Sequence, residues 1–155
     1  MVEIKFAPRE VFEQLLEWGV MPTFDLIIDV EGQGVILVKR KIAPYENQWA
    51  LPGLRMYKGE EIKGTLERIA KQELGLGINQ ENKIFIGQYV GKFITEHNRQ
   101  DLSTCYYVKV ASSQSPVLNE NHFFSLMYIK SKEDIPSKIG AMYKFYLTEY
   151  FGSKK

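Results

Sequence analysis

The stretch from residue 49 to residue 76, WALPGLRMYKGEEIKGTLERIAKQELGL, limits what this chain can fold into more than any other. It reads as a short strand at residues 49–51, a break at Pro52-Gly53, a cationic loop with Arg55 and Lys58, and a helix at residues 60–74 stopped by Gly75. Apolar residues at Ile62, Leu66, Ile69 and Ala70 give that helix one buried stripe. A helix with one apolar stripe, reached from a strand through a tight loop, must lie on a sheet.

The rest of the chain supplies the sheet. Residues 23–30 and 34–41 are β-rich and joined by Glu31-Gly32-Gln33-Gly34, a hairpin signal. Residues 83–93 and 103–110 read as a second strand pair, and residues 125–129 as a short last strand. An amphipathic helix is expected at residues 8–18, with Val11, Leu15 and Trp18 on its apolar side, and a closing helix at residues 140–151. No repeat, low-complexity tract or long linker divides the chain, so residues 1–155 are expected to form one α+β domain.

Composition excludes several classes of function. Lys and Arg number 20 against 19 Asp and Glu, leaving no excess charge for nucleic acid or an acidic membrane. Any anion site must then be a local cluster of cations. A single cysteine, Cys105, rules out an intrachain disulfide and a cysteine zinc cage. The N-terminal MVEIKFAPRE has no long apolar run, so neither signal peptide nor membrane span is expected, and the expected compartment is the cytoplasm.

Ile69, Gln72, Glu73 and Leu76 share one side of the central helix, because steps of three and four return to the same face. Glu73 is the only anion among them. Loop amides, cations and one helix carboxylate are the parts needed to hold a metal diphosphate. One carboxylate suits a single Mg²⁺ that takes its other ligands from substrate phosphates. Arg68, a permanent planar cation, can brace a carboxylate or bind phosphate. The plain alternative is that Arg68 and Glu73 are solvated helix charges. Asp25 interrupts an apolar strand and must be paired, exposed at an edge or used on a ligand. Arg40 ends a strand and either faces water or meets phosphate, and Arg55 follows a glycine closely enough to present its fork to a diphosphate. Tyr106 is either a core aromatic or a ligand contact. His122 follows Asn119-Glu120-Asn121 in a polar loop, whereas His97 reads as surface.

The segment resembles the Nudix box, G-x5-E-x7-R-E-U-x-E-E-x-G-U, with U a bulky aliphatic residue. Glu60, Arg68, Glu73, Gly75 and Leu76 stand in their places; Leu54, Ile69 and Gln72 replace the glycine and two of the glutamates. The altered box ERIAKQELGL, together with TFDLIIDV, LVKR, WALPGLR, QDLSTCYYV and ENH, is similar to the GDP-mannose mannosyl hydrolase branch. The resemblance implies a Nudix-type α/β/α sandwich with a mixed sheet. It also implies Mg²⁺-dependent hydrolysis of a nucleoside diphosphate sugar at the anomeric carbon, with inversion, by a homodimer. Carried over by position, it implies His122, Arg40, Arg55 and Arg68 as catalytic and Asp25, Arg40, Arg55 and Tyr106 as substrate-binding. Gly53, Glu73 and Asn121 become the ligands of one Mg²⁺, with Mn²⁺ a possible substitute. A nucleoside diphosphate is already a weak base, so one general base, His122, suffices and no acid is required. Two alternatives stay open: a pyrophosphohydrolase cutting between phosphates, and a Nudix-fold nucleotide-binding domain without catalysis.

Overall fold

The computed structural model describes residues 3–95 and 97–153. Among these, β1 (Val20–Val30), β2 (Gly34–Arg40), β3 (Trp49–Ala50), β4 (Gly53–Arg55), β5 (Ile84–Lys92), β6 (Gln100–Val110) and β7 (Phe123–Ile129) make one mixed sheet. The helices are α1 (Arg9–Trp18), α2 (Ile62–Leu74) and α3 (Ala141–Ser153). This is the expected α+β sandwich. None of the helices is long and apolar enough to cross a membrane.

β1 is the spine. One edge runs parallel to β6 from Val20↔Gln100 to Val30↔Val110. The other edge is shared: Thr23–Asp25 pairs antiparallel with β4, and Asp29 and Val30 pair with β2. Leu26, Ile27 and Ile28 are consecutive and all 0% exposed, so both faces of the sheet are covered at its centre. α3 lies over the face that carries Asp25, Ser103 and Tyr107. Its Tyr146 hydroxyl donates to Ser103 Oγ at 2.7 Å, and its Tyr150 ring stacks on Tyr107 at 5.1 Å. α2 packs against β1 and β4 and sends Leu66, Ile69, Ala70 and Leu74 into the core.

Local sequence explains the joints. The β1–β2 hairpin turns on Gly32 and Gly34, at φ 80° and 117°, which side chains rarely tolerate. α2 ends where Gly75, at φ 62°, donates its N–H to the Lys71 carbonyl.

Several expectations change. The cationic loop after the Pro52 break starts as a strand: Gly53, Leu54 and Arg55 pair with Asp25, Phe24 and Thr23, so four strands precede α2, while Lys58 stays in the loop. Leu54 needs no left-handed backbone there and packs against the core. Helix α2 starts at Ile62 rather than residue 60, which leaves Glu60 outside it, and Ile62 is 39% exposed. β6 begins three residues early, at Gln100, because it follows β1 to its end. Helix α1 forms as expected, but none of its residues is buried, and Val11, Leu15 and Trp18 are 49%, 46% and 82% exposed. His97 is not a plain surface residue, since its Nδ1 lies 3.2 Å from Glu17 Oε2.

Candidate active site

Two clusters meet at Arg40. The first is a cleft of about 200 Å³ between the sheet and α3, walled by Asp25, Arg40, Gly53, Arg55, Arg99 and Asp101. A larger hollow of about 280 Å³, at Asp29, Lys130 and Tyr150, gathers no comparable set of cations.

Asp25 is 3% exposed and accepts a hydrogen bond from the Ser103 hydroxyl at 2.5 Å. Ser103 in turn accepts from Tyr146, which makes a buried Tyr146–Ser103–Asp25 chain. Burial pushes the Asp25 carboxyl up to about 7, against the pull of Ser103 and Arg40. Gly53 faces it across the β1–β4 ladder. A Cβ at Gly53 would overlap the Asp25 carboxylate and the Phe24 carbonyl, so only glycine permits this approach.

The three arginines named from sequence do different things. Arg40 is 9% exposed, and its Nε donates to the Pro44 carbonyl at 2.6 Å and to Ile42 O at 3.3 Å. Its Nη2 reaches Ala43 O at 3.3 Å, so much of this guanidinium holds its own loop. Arg68 forms a two-pronged pair with Glu60 (2.7 and 2.9 Å) and donates to the Arg55 carbonyl at 2.7 Å. Glu60, which lies just before α2, ties that helix through Arg68 to the end of β4. Among the described residues no carboxylate pairs with Arg55. Its guanidinium lies over the Phe12 and Tyr57 rings at 4.3 and 4.9 Å. Burial pulls its pKa below the usual arginine value, and Arg99 and Arg68 add repulsion. That leaves Arg55 as the cation most in need of an anion.

The second cluster is a carboxylate–imidazole pair. Glu73 is 1% exposed, and both of its oxygens contact His122 Nδ1, at 2.8 and 3.0 Å. Asn119 Nδ2 donates to Glu73 Oε1 at 3.3 Å. The loop before β7 is clamped so that this pair can form. Val117 and Asn119 N–H donate to the Leu74 and Glu73 carbonyls, and Lys41 N–H donates to the His122 carbonyl at 2.7 Å. Burial raises the Glu73 pKa, although His122 and Asn119 oppose it. A buried carboxylate whose hydrogen-bond partners among the described residues are only an imidazole and an amide fits a divalent ion.

No cluster of three carboxylate, histidine or cysteine side chains able to hold a metal exists among the described residues. Asn121 is exposed and gives its N–H to Asn119 Oδ1; Asn119, which the sequence reading passed over, is the amide beside Glu73. Nor does the fold bring Tyr106 to the cleft. It alternates with Ser103 and Cys105 along β6 and stacks with Phe24 (6.3 Å) and Phe85 (5.9 Å) on the other face. Arg99 and Asp101 were also missed. Only the parallel pairing of β1 with β6 reveals them.

Residues 20–143 match the NUDIX domain family. A curated relative, low-salt glycan biosynthesis protein Agl8 of Haloferax volcanii, is 31% identical over 77 residues, which are 50% of this chain and 49% of that protein. The chain thus spans about half the length of that relative. Among solved structures, a MutT protein from Methanosarcina mazei Go1 superposes with a TM-score of 0.73 at 15% identity, over 88% of this chain and 96% of that one. A MutT NUDIX hydrolase from Burkholderia pseudomallei gives 0.72 at 18% identity, over 83% and 96%. The NUDIX domain of Shewanella oneidensis NrtR, complexed with ADP ribose, gives 0.68 at 13% identity, over 93% and 91%. At these identities the structures speak for the fold alone.

Proposed function

The chain belongs to the Nudix family, and from that premise we propose that it hydrolyses a nucleoside diphosphate sugar of the GDP-mannose kind at the anomeric carbon. The Glu73–His122 pair carries this reading. Helix α2 cannot offer a carboxylate cluster, because Ile69 is fully buried and Gln72 faces Arg68 at 3.3 Å. What the site offers instead is an imidazole oriented by a buried carboxylate, beside cations suited to a diphosphate. The relative named for glycan biosynthesis supports a substrate of this class.

With the Nδ1 proton given to Glu73, Nε2 of His122 keeps its lone pair and accepts a proton from water. The water oxygen bonds to the anomeric carbon as the bond to the diphosphate oxygen breaks, and the electron pair leaves with the nucleoside diphosphate. Attack opposite the leaving group inverts the centre. Arg55 meets the developing negative charge. Arg68 and Arg40 act as positioning residues, the first through Glu60 and β4, the second through the loop at residues 42–44. Glu73 and the Gly53 carbonyl would hold a single Mg²⁺, or Mn²⁺ in its place, with an amide from Asn119 or Asn121. When bound, that ion offsets charge on the diphosphate. The uncovered apolar side of α1 is in keeping with a homodimer.

Product analysis tests the reading. Incubation with a panel of nucleotide sugars and Mg²⁺ should yield nucleoside diphosphate and free sugar. Nucleoside monophosphate with sugar phosphate would replace it with pyrophosphate cleavage, and binding without either product would make the domain a receptor.

A further inference from the structure

We propose that Thr23, Arg99 and Asp101 form a hydroxyl-reading subsite at one end of the cleft, which receives a hydroxyl-bearing ring of the substrate. The proposal deepens the reading above and rests on it.

The first observation is an unsatisfied group. Thr23 is only 9% exposed and lines the cleft, yet its hydroxyl makes no hydrogen bond to any described residue. A buried hydroxyl without a partner destabilises a fold, and it persists where a ligand uses it. The register explains its position. Thr23 lies between Arg55 of β4 and Ser103 of β6 in one row across the sheet, and Met21↔Asp101 is the next row on that face.

The second observation is the pair across the row. Arg99 Nε donates to Asp101 Oδ1 at 2.7 Å, and Asp101 is 5% exposed. Thr95 Oγ1 accepts the Arg99 N–H at 3.1 Å, and the Arg99 carbonyl accepts from Phe93 N–H, so the hairpin end is closed around this arginine. Among the described residues nothing bonds to the Arg99 terminal nitrogens or to Asp101 Oδ2. Donors and an acceptor therefore stand side by side on the cleft wall.

That pairing selects a chemical class. A phosphate only accepts hydrogen bonds, and the buried Asp101 carboxylate beside Arg99 repels it. A sugar hydroxyl both donates and accepts, so adjacent hydroxyls match an arginine–carboxylate pair and a threonine. The phosphates then fall to Arg55, and the ring to Thr23, Arg99 and Asp101.

Thr23→Val separates a ligand role from a structural one, since the isosteric methyl removes an unsatisfied polar atom. The variant should keep or raise the melting temperature while weakening GDP-mannose binding about threefold to tenfold. Arg99→Ala should weaken it by at least as much. If the glycosyl ring occupies the subsite, KM for GDP-mannose rises and Kd for GDP stays constant. If the ribose occupies it, both rise together, and 2′,3′-dideoxy-GDP shows no difference between wild type and variant. Unchanged binding of GDP and GDP-mannose, equal weakening of GDP and its dideoxy form, or a lower melting temperature in Thr23→Val would each overturn the subsite. Should the wild type leave GDP-mannose intact, the comparison is read as equilibrium dissociation constants. Failed hydrolysis and a failed subsite are then seen separately.

Discussion

His122 Nδ1 sits within 2.8 and 3.0 Å of the two Glu73 oxygens, although 49 residues separate them in sequence. One residue is therefore the orienting group of the other, and substitutions at the two should not add. Glu73→Gln should lower turnover at least about tenfold, and His122→Ala about 10²- to 10⁴-fold. The double variant should cost less than the product of the two single losses, because the share of Glu73 that acts through His122 is already gone in His122→Ala. Steady-state kcat for the three variants checks this, and a double variant equal to the product of the singles would mean the two act apart.

Arg68 and Glu60 are a nearly buried pair, with side chains 13% and 4% exposed. Arg68→Ala strands the Glu60 carboxylate and should cost about 3–5 kcal/mol in urea unfolding. Arg68→Lys should not restore it, because an ammonium cannot supply the fork that spans both Glu60 oxygens. Recovery of full stability in the lysine variant would show that charge alone suffices.

The same pair sets an acid limit on stability. Although burial alone would raise it, hydrogen bonds from Arg68 and Tyr57 hold the Glu60 pKa below its ordinary 4.5. The unfolded chain then takes up the proton first. The contribution is complete above about pH 4.5 and is lost as pH falls through the lower folded-state pKa. Glu60→Gln should flatten the stability curve in that acid window and leave its slope above pH 6 unchanged. Denaturation midpoints in a pH series measure it.

Ile69 stands where the family box has a glutamate, and it is fully buried in the core. Ile69→Glu should lower stability by about 3 kcal/mol or more without creating pyrophosphate cleavage. A stable variant that releases nucleoside monophosphate would overturn the single-carboxylate reading.

What could be read in the sequence follows the range of the interactions. The β1–β2 hairpin, the Gly75 stop and the stripe of α2 rest on neighbours within a few residues; the first two formed as expected, and the stripe did so at Leu66, Ile69 and Ala70 but not at Ile62. β4 escaped because three half-buried residues ending in arginine carry no periodic signal, and only pairing with Thr23–Asp25 makes them a strand. Thr23, Arg99 and Asp101 escaped because an apolar-strand threonine and a turn arginine look ordinary until β6 lies beside β1. Asn121 drew attention by adjacency to His122, yet the turn puts Asn119 against Glu73. The aliphatic stripe of α1 was legible, but that it would stay uncovered was not.

The pairing of β1 with β6 also bears on how the chain emerges from the ribosome. β1 pairs with β2 and β4, and β2 with β3, all among residues 20–55, but β2 also waits for β7 and the full length of the opposite β1 edge waits for residues 100–110. Until those are made, an apolar strand of 11 residues presents unpaired amides and carbonyls along one side, a template for pairing with another nascent chain. The floor of the cleft does not exist in that interval, because Asp101 and Ser103 have yet to arrive. Synthesis past Val110 closes the vulnerable edge and completes the cleft floor together.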